Sequence, residues 1–181
     1  MYLMKQVYNS CEQVDEMSIY IFQDNKWRFE KMIKVKGCKA LIDFIASRAD
    51  LFDYAILKLN QPYRNVLYHF NPHIKIAIDK EEIVTLFYSL IDEDKGAYEE
   101  AAAALEDSCS CLSINNNKHH FIDDFYRMCS RTEAVHFYEL WQLHMPLNDK
   151  KASQFIRTME FYLDEVINYF TVKPICDFLN R

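Results

Sequence analysis

The chain has 181 residues, 50% of them hydrophobic and 15% aromatic, with a formal net charge of −6. That length and apolar content suffice for the core of one domain, or of two small ones, without disulfides or metals, and they exclude global disorder. Only two glycines occur, Gly37 and Gly96, so the familiar Gly-rich phosphate loops and dinucleotide turns, which need backbone free of side chains, are excluded.

Residues 17–23 and 27–35 are rich in aromatic and β-branched residues, and Asp24 and Asn25 between them tolerate the positive φ of a tight turn. The pattern predicts a β-hairpin. In its second strand Trp27, Phe29, Ile33 and Val35 are expected on one face, with Lys31 as an exception there. Residues 39–49 read as a short helix following Gly37. Three strands are then expected at 53–59, 64–70 and 73–78, with Asn71-Pro72 as the last turn, and a further strand at 2–8 fits the same pattern.

At Asp79 the period changes from two to 3.6. Asp79 and Glu82 suit the start of a helix over 80–92. Further helices are expected over 94–106, 118–129, 132–145 and 149–170, with a polar loop at 107–117. Phe155, Met159, Leu163, Val166 and Phe170 give the last of these its apolar stripe. Pro174 is expected to break the chain before a short final helix. The fold class is therefore α+β: a small, mostly antiparallel sheet with one helix (1–79), packed against a C-terminal bundle of about five helices (80–181), the two forming one domain or two.

Charge follows the same division. Residues 1–80 carry 12 basic and 9 acidic residues, residues 81–181 carry 9 and 18. Lys58 and Arg64 interrupt residues 54–70, Asp164 and Glu165 interrupt the last long helix, and no stretch reaches the roughly 20 apolar residues of a membrane span. Lys5, Gln6 and Asn9 break any signal-like run at the start. The expectation is a cytoplasmic protein with no membrane contact and six reduced cysteines, Cys11, Cys38, Cys109, Cys111, Cys129 and Cys176.

Four constellations bear on function. His119, His120, Glu133 and His136 are the metal-ligand candidates, with Cys109, Cys111, Asp123 and Asp124 nearby; Glu133 and His136 have the i, i+3 spacing of carboxylate-bridged sites, and thiolates with imidazoles suit zinc. They would serve a small metal-dependent hydrolase using zinc or iron. The set is incomplete for either metal: one Glu–His pair stands where two are needed, and the cysteines are too close together. Cys38, at a helix start between Lys36 and Lys39, is a candidate thiol nucleophile, with His69, His119 or His120 as base.

The stretch 26–39 holds Lys26, Arg28, Lys31, Lys34, Lys36 and Lys39 around Trp27 and Phe29, a composition met on nucleic-acid surfaces. On a strand, however, the aromatics and most of the cations point apart, and the lysines then protect an edge. Asp92, Glu93, Asp94, Glu99 and Glu100, with Tyr98, form an acidic helical surface suited to a protein with a basic face. Tyr20, Tyr63, Tyr68, Tyr98, Tyr126 and Tyr138 are expected to be partly exposed, as interface tyrosines are. With no catalytic motif and no cofactor loop, the leading expectation is a non-enzymatic protein-binding protein: an inhibitor, immunity-type or adaptor protein with no cofactor.

Overall fold

A computed structural model of the chain describes residues 1–46, 48, 51–91, 121–144 and 150–179. The chain divides into two compact units: Met1–Asp79 with Val172–Arg181, and Lys80–Thr171.

The first unit begins with three strands, β1 (Tyr2–Asn9), β2 (Val14–Gln23) and β3 (Lys26–Val35). Asp24 and Asn25 join β2 to β3 with φ of 52° and 60°, the left-handed pair that matches the twist of a two-residue hairpin. Helix α1 (Cys38–Ile45) follows from Gly37, whose φ of 81° and ψ of 178° favour a residue without Cβ. Strand β4 (Tyr54–Leu57), helix α2 (Gln61–Phe70) and strand β5 (Lys75–Ile78) complete its Met1–Asp79 part.

The strand expected at 64–70 is a helix. Asn60 caps it, its Oδ1 accepting from the Tyr63 amide at 3.1 Å. Pro62 sits in the first turn, where its missing N–H costs nothing, and Tyr63 and Leu67, four apart, bury one face. Two helices rather than one therefore accompany the strands, and the α+β class holds: the sheet, in the order β3-β2-β1-β4-β5, is mixed, with the longer pairings antiparallel. The β1–β2 and β2–β3 pairs are antiparallel, while β1–β4 and β4–β5 are parallel; α2 is the crossover that joins the parallel neighbours β4 and β5.

The middle of the sheet is buried on both faces. Leu3 and Met4, successive residues pointing opposite ways, are each 0% exposed, and Ile56 and Leu57 are buried likewise. Helices α1 and α2 meet each other, and α1 also meets β3.

A β-bulge interrupts the hairpin. The β2–β3 register shifts between Ile19, opposite Lys31, and Tyr20, opposite Phe29, so Glu30 is the extra residue. This splits the face expected for β3. Trp27 and Phe29 lie with Phe22 and Tyr20 on one side, and Lys31, Ile33 and Val35 lie with Ile19, Met17 and Asp15 on the other.

The second unit is helical: α3 (Lys80–Ile91), α4 (Phe121–Arg127), α5 (Arg131–His144), α6 (Lys150–Phe161) and most of α7 (Leu163–Leu179). The long helix expected over 149–170 is interrupted at Tyr162, and the chain stays helical through Pro174 to Leu179. Pro174 forgoes only the bond its nitrogen would have given the Phe170 carbonyl, and its ring is exposed.

Aromatic rings build the core of this unit. Phe155 meets Phe87 at 5.2 Å and Trp141 at 5.5 Å, both near perpendicular, and Tyr126 meets Tyr169 at 4.9 Å. Edge-to-face contact is what the ring quadrupole favours. Three tyrosines expected at the surface are core instead: Tyr63, Tyr126 and Tyr138 are buried, while Tyr20 and Tyr68 are half-buried. The Tyr138 hydroxyl is enclosed without a hydrogen-bond partner among the described residues, and burial, then the Glu160 charge, pushes its pKa up. Among the described residues no helix is long and apolar enough to cross a membrane.

Candidate functional site

An open recess of about 380 Å³ lies at the amino ends of β4 and β5, lined by Phe52, Asp53, Tyr54, Asn71, His73 and Lys75. Parallel pairing creates it by setting Tyr54 opposite Lys75, residues 21 positions apart. The Lys75 amide donates to the Asp53 carbonyl at 3.0 Å, and the Asp53 amide donates to the Tyr2 carbonyl at 3.1 Å. The Asp53 Oδ2 accepts from the Tyr2 amide at 2.9 Å.

Asn71 holds the opposite wall. Its Nδ2 donates to the Phe52 carbonyl at 2.9 Å and its Oδ1 accepts from the His73 amide at 3.1 Å, an Asx turn that Pro72 pre-shapes. Phe52 is buried, the Lys75 ammonium lies 5.8 Å from the centre of the Tyr54 ring, and Asp53, His73 and Lys75 are exposed. None of these residues was singled out by sequence. The Asn-Pro turn was visible there, but not the strand pairing that brings Asp53 to Lys75.

A polar network occupies the opposite, carboxyl ends of β1 and β4, from which the chain leaves toward β2 on one side and β5 on the other. Asp15 Oδ1 accepts from Gln6 Nε2 at 2.9 Å, Asp15 Oδ2 accepts from the Tyr63 hydroxyl at 3.0 Å, and Gln6 Oε1 accepts from the Lys58 amide at 3.1 Å. Burial, reinforced by the hydrogen bond to Asp15 and its charge, pushes the Tyr63 pKa up to about 12. Cys38 is half-buried at the first position of α1, close enough to the Tyr63 hydroxyl to act on it electrostatically. Of the histidines considered as its base, His119 and His120 lie outside the described residues, and His69 is exposed six residues beyond Tyr63 on α2, with its ring against Phe70 at 5.1 Å. Six residues are about 9 Å of helix.

Of the metal-ligand candidates, Cys109, Cys111, His119 and His120 lie outside the described residues, as does the Asp123 side chain. Among the described residues no group of three or more His, Cys, Asp or Glu could hold a metal ion. Glu133 has a local role: its Oε2 accepts from the Cys129 amide at 2.9 Å, while its own amide donates to Ser130 Oγ at 3.2 Å. This reciprocal pattern caps the start of α5. His136 is exposed one turn on, and Asp124 pairs with Arg127 at 2.9 Å. The Ser130-x-x-Glu133 spacing was the sequence signal for this cap. Replacing Glu133 with alanine is expected to lower stability by about 1 kcal/mol, read from a urea melt. The same loss with and without a metal chelator identifies the cap as its cause.

Three of the six cations in 26–39 are engaged among the described residues. Lys31 lies 5.6 Å from the centre of the Phe44 ring, Arg28 pairs with Asp24 at 3.1 Å, and Lys34 reaches both oxygens of Glu12 at 2.6 and 2.5 Å, which raises the lysine pKa. On the face of β3 that points away from Lys31 and that Lys34 shares, Phe29 is 59% and Met32 50% exposed, opposite Tyr20 and Ser18 of β2. The acidic surface Asp92, Glu93, Asp94, Tyr98, Glu99 and Glu100 lies outside the described residues. Compared with known proteins, the chain matches no family model, no curated protein and no solved structure.

Proposed function

We propose that the protein is a non-enzymatic, cytoplasmic protein-binding protein of the inhibitor, immunity-type or adaptor kind. The observation that carries this reading is the pair of apolar side chains, Phe29 and Met32, standing together on one face of the sheet's outer strand. Tyr20 meets Phe29 edge-on at 5.8 Å and stiffens the patch, and the Lys34–Glu12 ion pair stands at its edge. An exposed apolar centre with a charged rim is the common anatomy of a protein-binding surface. The acidic excess of residues 81–181, with Asp92, Glu93, Asp94, Glu99 and Glu100 at its densest, would add attraction toward a partner with a basic face.

The test is partner capture with a paired control. Replacing Phe29 and Met32 together by serine is expected to weaken capture of the partner that co-purifies with the full chain about tenfold or more. The thermal midpoint should hardly move, because exposed side chains carry little stability. Undiminished capture by the double variant overturns the reading.

A further inference from the structure

We propose that the recess at the amino ends of β4 and β5 binds a small zwitterion, a free α-amino acid with an aromatic or large apolar side chain. The charges that line the recess carry the inference. Asp53, His73 and Lys75 all face it, and none forms an ion pair among the described residues. The acid and the two bases therefore stand farther apart than the 4 Å of direct contact, leaving a gap that a ligand bearing both charges can span.

Each group has capacity to spare. Asp53 spends Oδ2 on the Tyr2 amide, which leaves Oδ1 open to an ammonium group. The Lys75 ammonium offers three donors and, among the described residues, meets only the Tyr54 ring, so a carboxylate can take it. His73, two residues from Lys75, also lines the recess and has a ring N–H to offer. Tyr54, half-buried, gives the recess its aromatic side, backed by Phe52, whose ring packs on Tyr2 and Phe44. A volume of about 380 Å³ falls at the small end of ligand pockets, roughly 300–1,000 Å³, which suits one amino acid rather than a nucleotide. The frame is fixed in advance by the Asn71 clamp and the Asp53–Lys75 backbone bond, so little ordering is needed on binding. This site is separate from the Phe29–Met32 patch, and the two readings stand or fall independently.

The experiment is an amide-resolved NMR titration of the full chain with L-phenylalanine, beside phenethylamine (the amine alone) and 3-phenylpropionate (the carboxylate alone). Saturable shifts are expected at Asp53, Tyr54, His73 and Lys75, with each single-charge analogue about tenfold weaker. Asp53→Asn keeps the acceptor used by Tyr2, and Lys75→Met keeps the stem over Tyr54, so both variants should fold and each should bind about tenfold more weakly. The proposal is overturned if no saturable shift appears up to about 10 mM. It is equally overturned if an analogue binds as tightly as the amino acid, or if both variants bind unchanged.

Discussion

Replacing Phe155 with alanine is expected to destabilise the helical unit by about 3–5 kcal/mol, the range for emptying a fully enclosed phenylalanine site. Phe155 is 0% exposed on α6 and touches Phe87 of α3 and Trp141 of α5, so one side chain ties three helices together. Those neighbours are rigid rings that meet edge to face and collapse poorly into a void, which keeps the cavity cost near the top of its range. Each unit carries one of the two tryptophans, Trp27 in β3 and Trp141 beside Phe155. Urea unfolding of Phe155→Ala followed by fluorescence therefore retains both reporters. A loss below about 1.5 kcal/mol would mean that Phe155 is not enclosed as described.

The elements most legible in the sequence were those whose signal is local. Asp24-Asn25 marked the hairpin, and the apolar stripes of residues 80–91 and 150–170 marked helices, because periodicity reports the buried face of a single element. Residues 64–70 misled because the aromatic and β-branched content of Arg64–Phe70 resembles a strand. The deciding features were Asn60 as a cap, Pro62 in the first turn and the i, i+4 pair Tyr63–Leu67. The bulge at Glu30 was invisible for another reason: a register shift belongs to a pair of strands and leaves no mark on either alone.

The recess was the least legible feature. It needs β4 and β5 side by side, and once 64–70 was read as a strand that pairing could not be foreseen. Glu133 shows the reverse error. Its i, i+3 spacing to His136 suggested metal chemistry, while the same residue completes a helix cap three positions after Ser130. One spacing serves both purposes, and only the partners of the carboxylate tell them apart.

The second large effect is expected at Asp15. It is the shared acceptor for two buried donors, the amide of Gln6 and the hydroxyl of Tyr63. Asp15→Ala strands both, and at about 1–3 kcal/mol for each unsatisfied buried group a total loss of about 2–6 kcal/mol is expected. Tyr63→Phe removes one donor together with its bond and should cost only about 1 kcal/mol. Alkaline pH separates the two residues further. The folded chain holds the Tyr63 proton more tightly than the unfolded chain does, its pKa being raised from 10.0 to about 12. That contribution is complete below pH 10 and disappears as the pH rises through about 12. Wild-type stability should therefore fall more steeply across this window than that of Tyr63→Phe, which keeps the contributions of Tyr138 and Lys34 but loses this one. Urea midpoints on either side of the window measure the difference. Parallel losses in the two proteins would show that Tyr63 does not hold its proton against Asp15, and a loss below about 1 kcal/mol in Asp15→Ala would show that the network does not tie β1 and β2 to α2.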